Sequence, residues 1–387
     1  MSLSSWNYPT AIIAGSGALN KLPDACQSLG IIRPLLVTDP GIAALPMTQT
    51  AINLCEESGL SVTLFSDVQG NPTGENVAAG NKVFVDGHHD GIIALGGGSA
   101  LDCAKAIALS ARQKHEMWQF EDVGDNWTLA VPDLIAPVIA LPTTAGTGSE
   151  VGRASVITNS AEQRKVIIFH PDMVPKQVLL DPDLTLALPP HITAATGMDA
   201  LSHSLEALCA PGYHPMADGI ATEGIRLVQQ NLPTVFHNGA DKEARMQMLV
   251  ASSMGATAFQ KGLGAMHAIA HTLGALYNAH HGLLNAILMP YVLDANRSEV
   301  EQKMARLARY LNLEGEGTDA VLAWILALRR EVGIPHTLAD IGITAEEAER
   351  VGKMAVNDPS AGGNPIPFTA EQYSQLFTLA VNGKDWS

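Results

Sequence analysis

Cysteine is scarce in this chain. Its 387 residues hold four, Cys26, Cys55, Cys103 and Cys209, widely separated and without a CxxC pair. That excludes a disulfide framework and a cysteine-ligated zinc, and reads as small buried hydrophobes in a reducing compartment. Positive charge is also short: 23 Lys and Arg stand against 39 Asp and Glu, for a net charge of −16. Without a basic face, nonspecific binding to nucleic acid or to an anionic membrane is excluded as a function. No apolar run approaches the ~20 residues of a membrane span. The opening MSLSSWNYPT lacks the basic-then-apolar pattern of a secretory leader, so the expected location is cytoplasmic. Internal repeats, low-complexity tracts and long linkers are missing too. With 47% hydrophobic and only 16% charged residues, the chain is an ordinary folded protein with large cores, long enough for two or three domains.

The first half alternates short aliphatic runs with helix-like segments. Strands are predicted near 33–38 (RPLLVTDPG), 61–66 (SVTLFSDV), 91–95 (DGIIALGGG) and 137–141 (APVIALPTT). Continuous aliphatic runs bounded by turn residues are the pattern of buried parallel strands, and their alternation with helices predicts a doubly wound, Rossmann-like α/β domain. GRASVITN, RKVIIFHP and QVLLDP read as further strands or a hairpin closing it. After about residue 186 nearly every segment has helical period. Helices are expected near 191–209, 215–231, 241–258, 264–278, 282–295, 298–311, 317–332, 344–356 and 369–381. The domains are therefore residues 1–186, α/β and dinucleotide-binding, and 187–387, all-α.

The second domain holds a concentration of metal-type side chains. Asp199 and His203 stand four apart in TGMDALSHSLEA, and His267 and His271 repeat that spacing in GLGAMHAIAHTLGALYNAHHG, which ends on His280 and His281. Residues four apart on a helix share a face. One carboxylate and several imidazoles on successive apolar helices suit zinc, iron, nickel or cobalt. Any one of these histidines alone reads equally well as a core residue bonded to backbone. Spacing does not divide ligands from neighbours.

Two glycine-containing turns follow strands in the first domain. Gly96-Gly97-Gly98-Ser99 leaves one strand and opens a helix, where free N–H groups and the helix dipole favour phosphate. It is not a GxGxxG fingerprint, and a tight turn without ligand is the competing reading. Pro142 to Glu150 (PTTAGTGSE) leaves the next strand with hydroxyls and small residues suited to a nucleotide. Ligands of open α/β sheets gather at the carboxyl ends of strands. Asp39, after the strand LLVT, is placed either to accept from an adenosine ribose, favouring NAD over NADP, or to form the turn before Pro40.

GGGSALDCAKAIA (96–108), LPTTAGTGSE (141–150), ATGMDALSHSLEA (195–207) and GLGAMHAIAHTLGALYNAHHGLLNAILMPYV (262–292), in this order, resemble the iron-containing (group III) alcohol dehydrogenases over nearly the whole chain. The resemblance implies the dehydroquinate synthase-like fold of that family, an N-terminal dinucleotide-binding domain and a C-terminal helical domain with the active site between them. It implies metal ligands at Asp199, His203, His267 and His281, and a further catalytic histidine at His271. His280 receives no role. Cofactor positions fall on Asp39, Asn71, Gly97, Gly98, Ser99, Asp102, Thr143, Thr144, Thr147 and Lys165. The cofactors implied are NAD and one divalent metal, Fe2+ before Zn2+. The activity implied is metal-assisted hydride transfer between a primary alcohol and NAD, in a homodimer or larger homo-oligomer. Two departures stand out: His271-Thr272 where the family often has His-Pro, and Asn364-Pro365-Ile366-Pro367 where it commonly has Asn-Pro-Arg.

Competing readings are a zinc-dependent, glycerol-type polyol dehydrogenase and, in another class, a non-catalytic metal-binding protein. The second leaves the phosphate-type turns unexplained. Lys261, six residues before His267, is read either as a clamp for an anionic group on the substrate, favouring a short ω-hydroxy acid or its semialdehyde, or as a helix-end lysine pointing to water. The partners expected are small molecules, with neither nucleic acid nor membrane.

Overall fold

The aliphatic runs of the first half become the interior of a parallel sheet. The computed structural model describes Tyr8 and Thr10–Trp386. Residues 8–187 form one compact unit and residues from Leu188 onward another. In the first, eight strands occur: β1 (Ala11–Ala14), β2 (Pro34–Val37), β3 (Thr63–Phe65), β4 (Gly91–Gly96), β5 (Val138–Pro142), β6 (Ala154–Asn159), β7 (Arg164–Phe169) and β8 (Gln177–Leu180). Its helices are α1 (Leu22–Ser28), α2 (Pro40–Ala43), α3 (Pro46–Glu57), α4 (Gly74–Asp86) and α5 (Gly98–Ser110). Six strands make one parallel sheet in the order β1-β8-β5-β4-β2-β3. The strands β2, β4 and β5 are buried at every position, as fits runs such as GIIALG that face helices on both sides.

The order places β3 on one side of β2 and β4 on the other, so the chain reverses direction across the sheet between β2 and β4. Such a switch point opens a crevice at the strands' carboxyl ends. The open question over the later strands resolves both ways. β6 and β7 pair antiparallel as a separate hairpin, while QVLL enters the main sheet as β8 between β1 and β5. β1 has no counterpart in the sequence reading, because AIIA is short and carries no alternation.

The second unit is helical: α6 (Pro190–Cys209), α7 (Pro215–His237), α8 (Lys242–Ala258), α9 (Ala265–Tyr277), α10 (His281–Ala295), α11 (Arg297–Tyr310), α12 (Gly317–Glu331), α13 (Ala348–Ala355) and α14 (Ala370–Asn382). Pro opens α6 and α7, where its missing N–H costs nothing, and Asp241 and Thr369 cap α8 and α14. α7 runs six residues past its expected end at 231, continuing through Pro233, since a proline deletes one N–H and tertiary packing keeps the remaining turns. α13 is shorter than expected because a separate 3-10 turn, Ala345–Glu347, precedes it.

Candidate active site: a histidine–carboxylate cluster and two glycine turns

Helix α6 is buried over nearly its whole length, including Asp199 and His203. Their spacing sets both on one face, as expected. His267 is the third residue of α9 and is 1% exposed, and His281 is the first residue of α10. One donor atom from each of Asp199, His203, His267 and His281 lies within 4.8 Å of the others. Close approach of α10 to α6 makes this possible. A Cβ on Gly282 would lie 2.4 Å from the Ala195 carbonyl oxygen and 3.1 Å from Asp199 Cβ, so only glycine admits the contact that brings His281 Nε2 to 3.6 Å from Asp199 Oδ1.

The imidazoles are oriented for binding. Asn285, four residues after His281, donates through Nδ2 to Asp199 Oδ1 (2.8 Å) and lies 3.1 Å from Nε2 of both His267 and His281. Those two nitrogens thus face the same point as the Asp199 oxygen. Burial, then the neighbouring His203, holds His267 well below the ordinary imidazole pKa, so it is neutral, the form that binds a cation. The rings of His203 and His267 stack at 4.8 Å. Three imidazoles and a carboxylate converging from three helices fit one divalent transition metal with coordination positions to spare.

Two carboxylates outside that set touch histidines, one in the set and one beside it. Glu206 accepts from His267 Nδ1 at 2.7 Å; burial pushes its carboxyl up to about 7, against the pull of backbone N–H groups at the start of α9. Asp358 accepts from His271 Nδ1 at 3.1 Å. Burial acts to raise Asp358, but His271 and Ser360 outweigh it and hold it below its usual range. His271 stacks on His281 with ring centroids 5.3 Å apart, beside the cluster rather than in it. Thr272 leaves α9 unbroken, its hydroxyl bonded to the Ala268 carbonyl. Neither Glu206, Asn285 nor Asp358 was singled out from sequence. Glu206 follows Asp199 by seven and Asn285 follows His281 by four, spacings that put each on the helix face of a clustered side chain. Asp358 is 87 residues from His271 and carries no local signal.

In the α/β unit the expected nucleotide residues gather at the switch point. Asp39 follows β2, Gly97, Gly98 and Ser99 follow β4, and Thr143, Thr144 and Thr147 follow β5, on three adjacent strands. The two turns interlock: a Cβ on Gly98 would lie 2.5 Å from Thr147 Cγ2, and one on Gly97 3.3 Å from Thr144. Ser99 donates to the Gly70 carbonyl, and Lys165 on β7 donates to Asn71 Oδ1 at 3.0 Å, which draws the 70–71 loop to the same end. Asp39 does cap its turn, Oδ1 accepting from the Gly41 and Ile42 N–H groups, so the turn-forming reading holds for one oxygen. Its Oδ2 faces Gly96. Asp102 sits a turn inside α5, where it accepts from the Ser149 hydroxyl and the Val156 N–H, with the buried Lys105 at 3.4 Å. One oxygen thus fastens the PTTAGTGSE loop to α5 and the other fastens β6.

Lys261 stands apart from both of its expected settings. Its side chain is 2% exposed, ion-paired with Asp218, and 3.3 Å from the Leu208 carbonyl. Lys303 bonds the next two carbonyls, Cys209 and Ala210, at 3.0 Å each. Two ammonium groups thus close the carboxyl end of α6, where the helix dipole favours cations. Lys261 neither points to water nor keeps a free charge for a substrate. His280 also acquires a role: it caps α10, its ring nitrogen accepting from the Leu283 N–H.

Comparison with known proteins bears on both regions. Residues 9–182 match the model described as iron-containing alcohol dehydrogenase, and residues 193–381 match that of the family's C-terminal part. A 4-hydroxybutyrate dehydrogenase of Cupriavidus necator is 38% identical over 383 residues, covering 97% of this chain and 99% of that protein. A crystal structure of 1,3-propanediol oxidoreductase superposes with a TM-score of 0.93 at 33% identity, covering 98% of this chain and all of the other. A sulfoacetaldehyde reductase of Bifidobacterium kashiwanohense, solved with NAD+, gives 0.90 at 27% identity over 99% of this chain and all of that one. With matching models across both units and a relative of this identity along its whole length, the chain belongs to the iron-containing alcohol dehydrogenase family.

Proposed function

We propose that this protein interconverts a short primary alcohol and its aldehyde with NAD, and that the physiological pair is an ω-hydroxy acid and its semialdehyde. The observation that carries the reading is the convergence of Asp199, His203, His267 and His281, which we assign as the ligands of one divalent cation, Fe2+ in preference to Zn2+. The acidic substrate is supported by the relatives, two of which are named for compounds with an anionic group at the far end, 4-hydroxybutyrate and sulfoacetaldehyde.

When bound, the cation supplies Lewis acidity to a substrate oxygen and NAD supplies the hydride acceptor. The protein's residues do the rest. Glu206, by accepting from Nδ1 of His267, keeps the inner Nε2 of that ring unprotonated and aimed inward. His271, with Nδ1 engaged by Asp358, offers Nε2 for the proton that leaves the alcohol. The glycine turns present N–H groups to the pyrophosphate, and Asp39 Oδ2 is the acceptor for the adenosine ribose. We further propose a homodimer or larger homo-oligomer acting in the cytoplasm, in keeping with four free, buried cysteines. Among the described residues no helix is long and apolar enough to cross a membrane.

The test is metal analysis of protein purified without added metal, with succinic semialdehyde, butanal, 1,3-propanediol and glycerol assayed with NAD(H). One equivalent of metal and highest efficiency on the semialdehyde are expected. Metal-free protein of full activity, or preference for glycerol, refutes the reading.

A further inference from the structure

Helix α9 has no cap of its own. Its N-cap residue is Gly264, which has no side chain to offer, and its first turn would leave N–H groups buried without acceptors. Both acceptors come from far away in the chain. Asn364 Oδ1 takes the Ala265 N–H at 3.1 Å, and Glu206, on α6, takes the Gly264 and Met266 N–H groups at 2.8 Å each. The same Glu206 carboxylate takes His267 Nδ1 at 2.7 Å. Glu206 is 5% exposed, and every donor it meets points at it.

We propose that Glu206 is a positioning residue for the metal centre: one carboxylate both closes the first turn of α9 and fixes His267 in the tautomer whose Nε2 faces the other donors. This rests on the assignment of His267 as a ligand. Asp199, His203 and Glu206 lie at i, i+4 and i+7 on α6, so a single helix face carries two ligands and the group that orients the third. With Nδ1–H held by an acceptor, Nε2 is left as the lone-pair nitrogen, and the 3.1 Å approach of Asn285 Nδ2 to it agrees. A carboxylate behind a ligating imidazole also makes that ligand more basic and stops its ring from turning.

An amide at this position has one acceptor oxygen for three donors. In E206Q either a backbone N–H or His267 Nδ1 faces an NH2 group, and the ring gains a reason to flip or change tautomer. The experiment measures Co2+ affinity of the metal-free protein by competition with a chromophoric chelator, and records the visible spectrum of the Co2+ form. E206Q is expected to bind Co2+ roughly 10–100-fold more weakly, with shifted d–d bands. E206D keeps the charge but falls a methylene short of Nδ1; it is expected to weaken binding too, and serves if E206Q does not fold. N364A removes a cap of α9 without touching His267 and should lower the melting temperature while leaving Co2+ affinity within about threefold. Wild-type affinity and spectrum in E206Q overturn the proposal. So does equal loss of affinity in N364A, which would reduce Glu206 to a helix cap. H267A is the reference for the ligand assignment: if it binds Co2+ as wild type does, that assignment fails, whereas loss in H267A with none in E206Q sinks this inference alone.

Discussion

Replacing Gly282 by alanine tests whether the spacing of α6 and α10 sets the metal centre. The added Cβ would lie 2.4 Å from the Ala195 carbonyl oxygen and 3.1 Å from both the Ala195 carbonyl carbon and Asp199 Cβ. These are backbone atoms and a Cβ, not the ends of flexible side chains, so the helices themselves must part. An ordinary carbon–oxygen contact is about 3.3 Å, hence the required separation is about 0.9 Å, several times the ~0.2 Å by which metal–ligand distances vary. His281 is the adjacent residue, and its Nε2 stands 3.6 Å from Asp199 Oδ1, across the seam that opens. Overpacking of this kind costs about 1–3 kcal/mol, which for a unit of this size lowers the melting temperature by roughly 2–12 °C. G282A should therefore melt earlier and, more tellingly, lose metal on dialysis against a chelator that leaves the wild type loaded. NADH binding, measured by fluorescence enhancement, should persist, because the nucleotide residues lie in the other unit. Wild-type metal retention in a variant that does melt earlier would refute the reasoning, since the strain would then have been absorbed away from His281.

Asp39→Asn keeps the cap on Gly41 and Ile42 but removes the charge, and should raise NADP use relative to NAD by roughly ten- to a hundredfold; an unchanged ratio of catalytic efficiencies would confine Asp39 to its turn. His271→Ala should keep its metal and lower turnover about a hundredfold or more, with Asp358→Asn moving in the same direction by less, and metal loss in the first would make His271 a ligand. Lys261→Ala should cost about 1.5–3 kcal/mol of stability by unpairing Asp218 and the end of α6, while efficiencies for succinic semialdehyde and butanal change by the same factor. Selective loss on the charged aldehyde would return the lysine to the substrate.

Much of this architecture could be read from residue order, because the strands of the first unit other than β1 announce themselves as aliphatic runs and the helices of the second by their period. α9 and α10 are apolar around most of their circumference, yet their glycine and asparagine boundaries still mark their ends. The position of β8 between β1 and β5 was not legible, since a parallel strand's neighbour is chosen by packing across the sheet and not by its local sequence. The same division holds in the site. Asp199, His203, His267 and His281 are visible as spaced residues, and Glu206 and Asn285 would have been by extending the same spacing. Lys261 misled because nearness in sequence to His267 suggested nearness to the site. Gly262, at φ 140°, turns the chain between them and sends the lysine to the end of α6. Asp102 carries a second task that its motif does not announce, tying the neighbouring loop and β6 to α5.

The borrowed closure of α9 has a consequence for the order in which this protein comes into being. The N–H groups of its first turn are met by Glu206, 58 residues before Gly264, and by Asn364, 99 residues after Ala265. Neither contact forms by local collapse, and each must close a long loop before it returns any free energy. During synthesis His203 and Asp199 emerge early, but the turn that presents His267 stays unfinished until Asn364 has left the ribosome and docked. The four donors and Glu206 are therefore all present in the growing chain before the helix that carries His267 is fully capped. A chain that has not yet docked Asn364 already holds Glu206 against His267, so what the last cap adds is the stability of α9 and not the aim of its histidine.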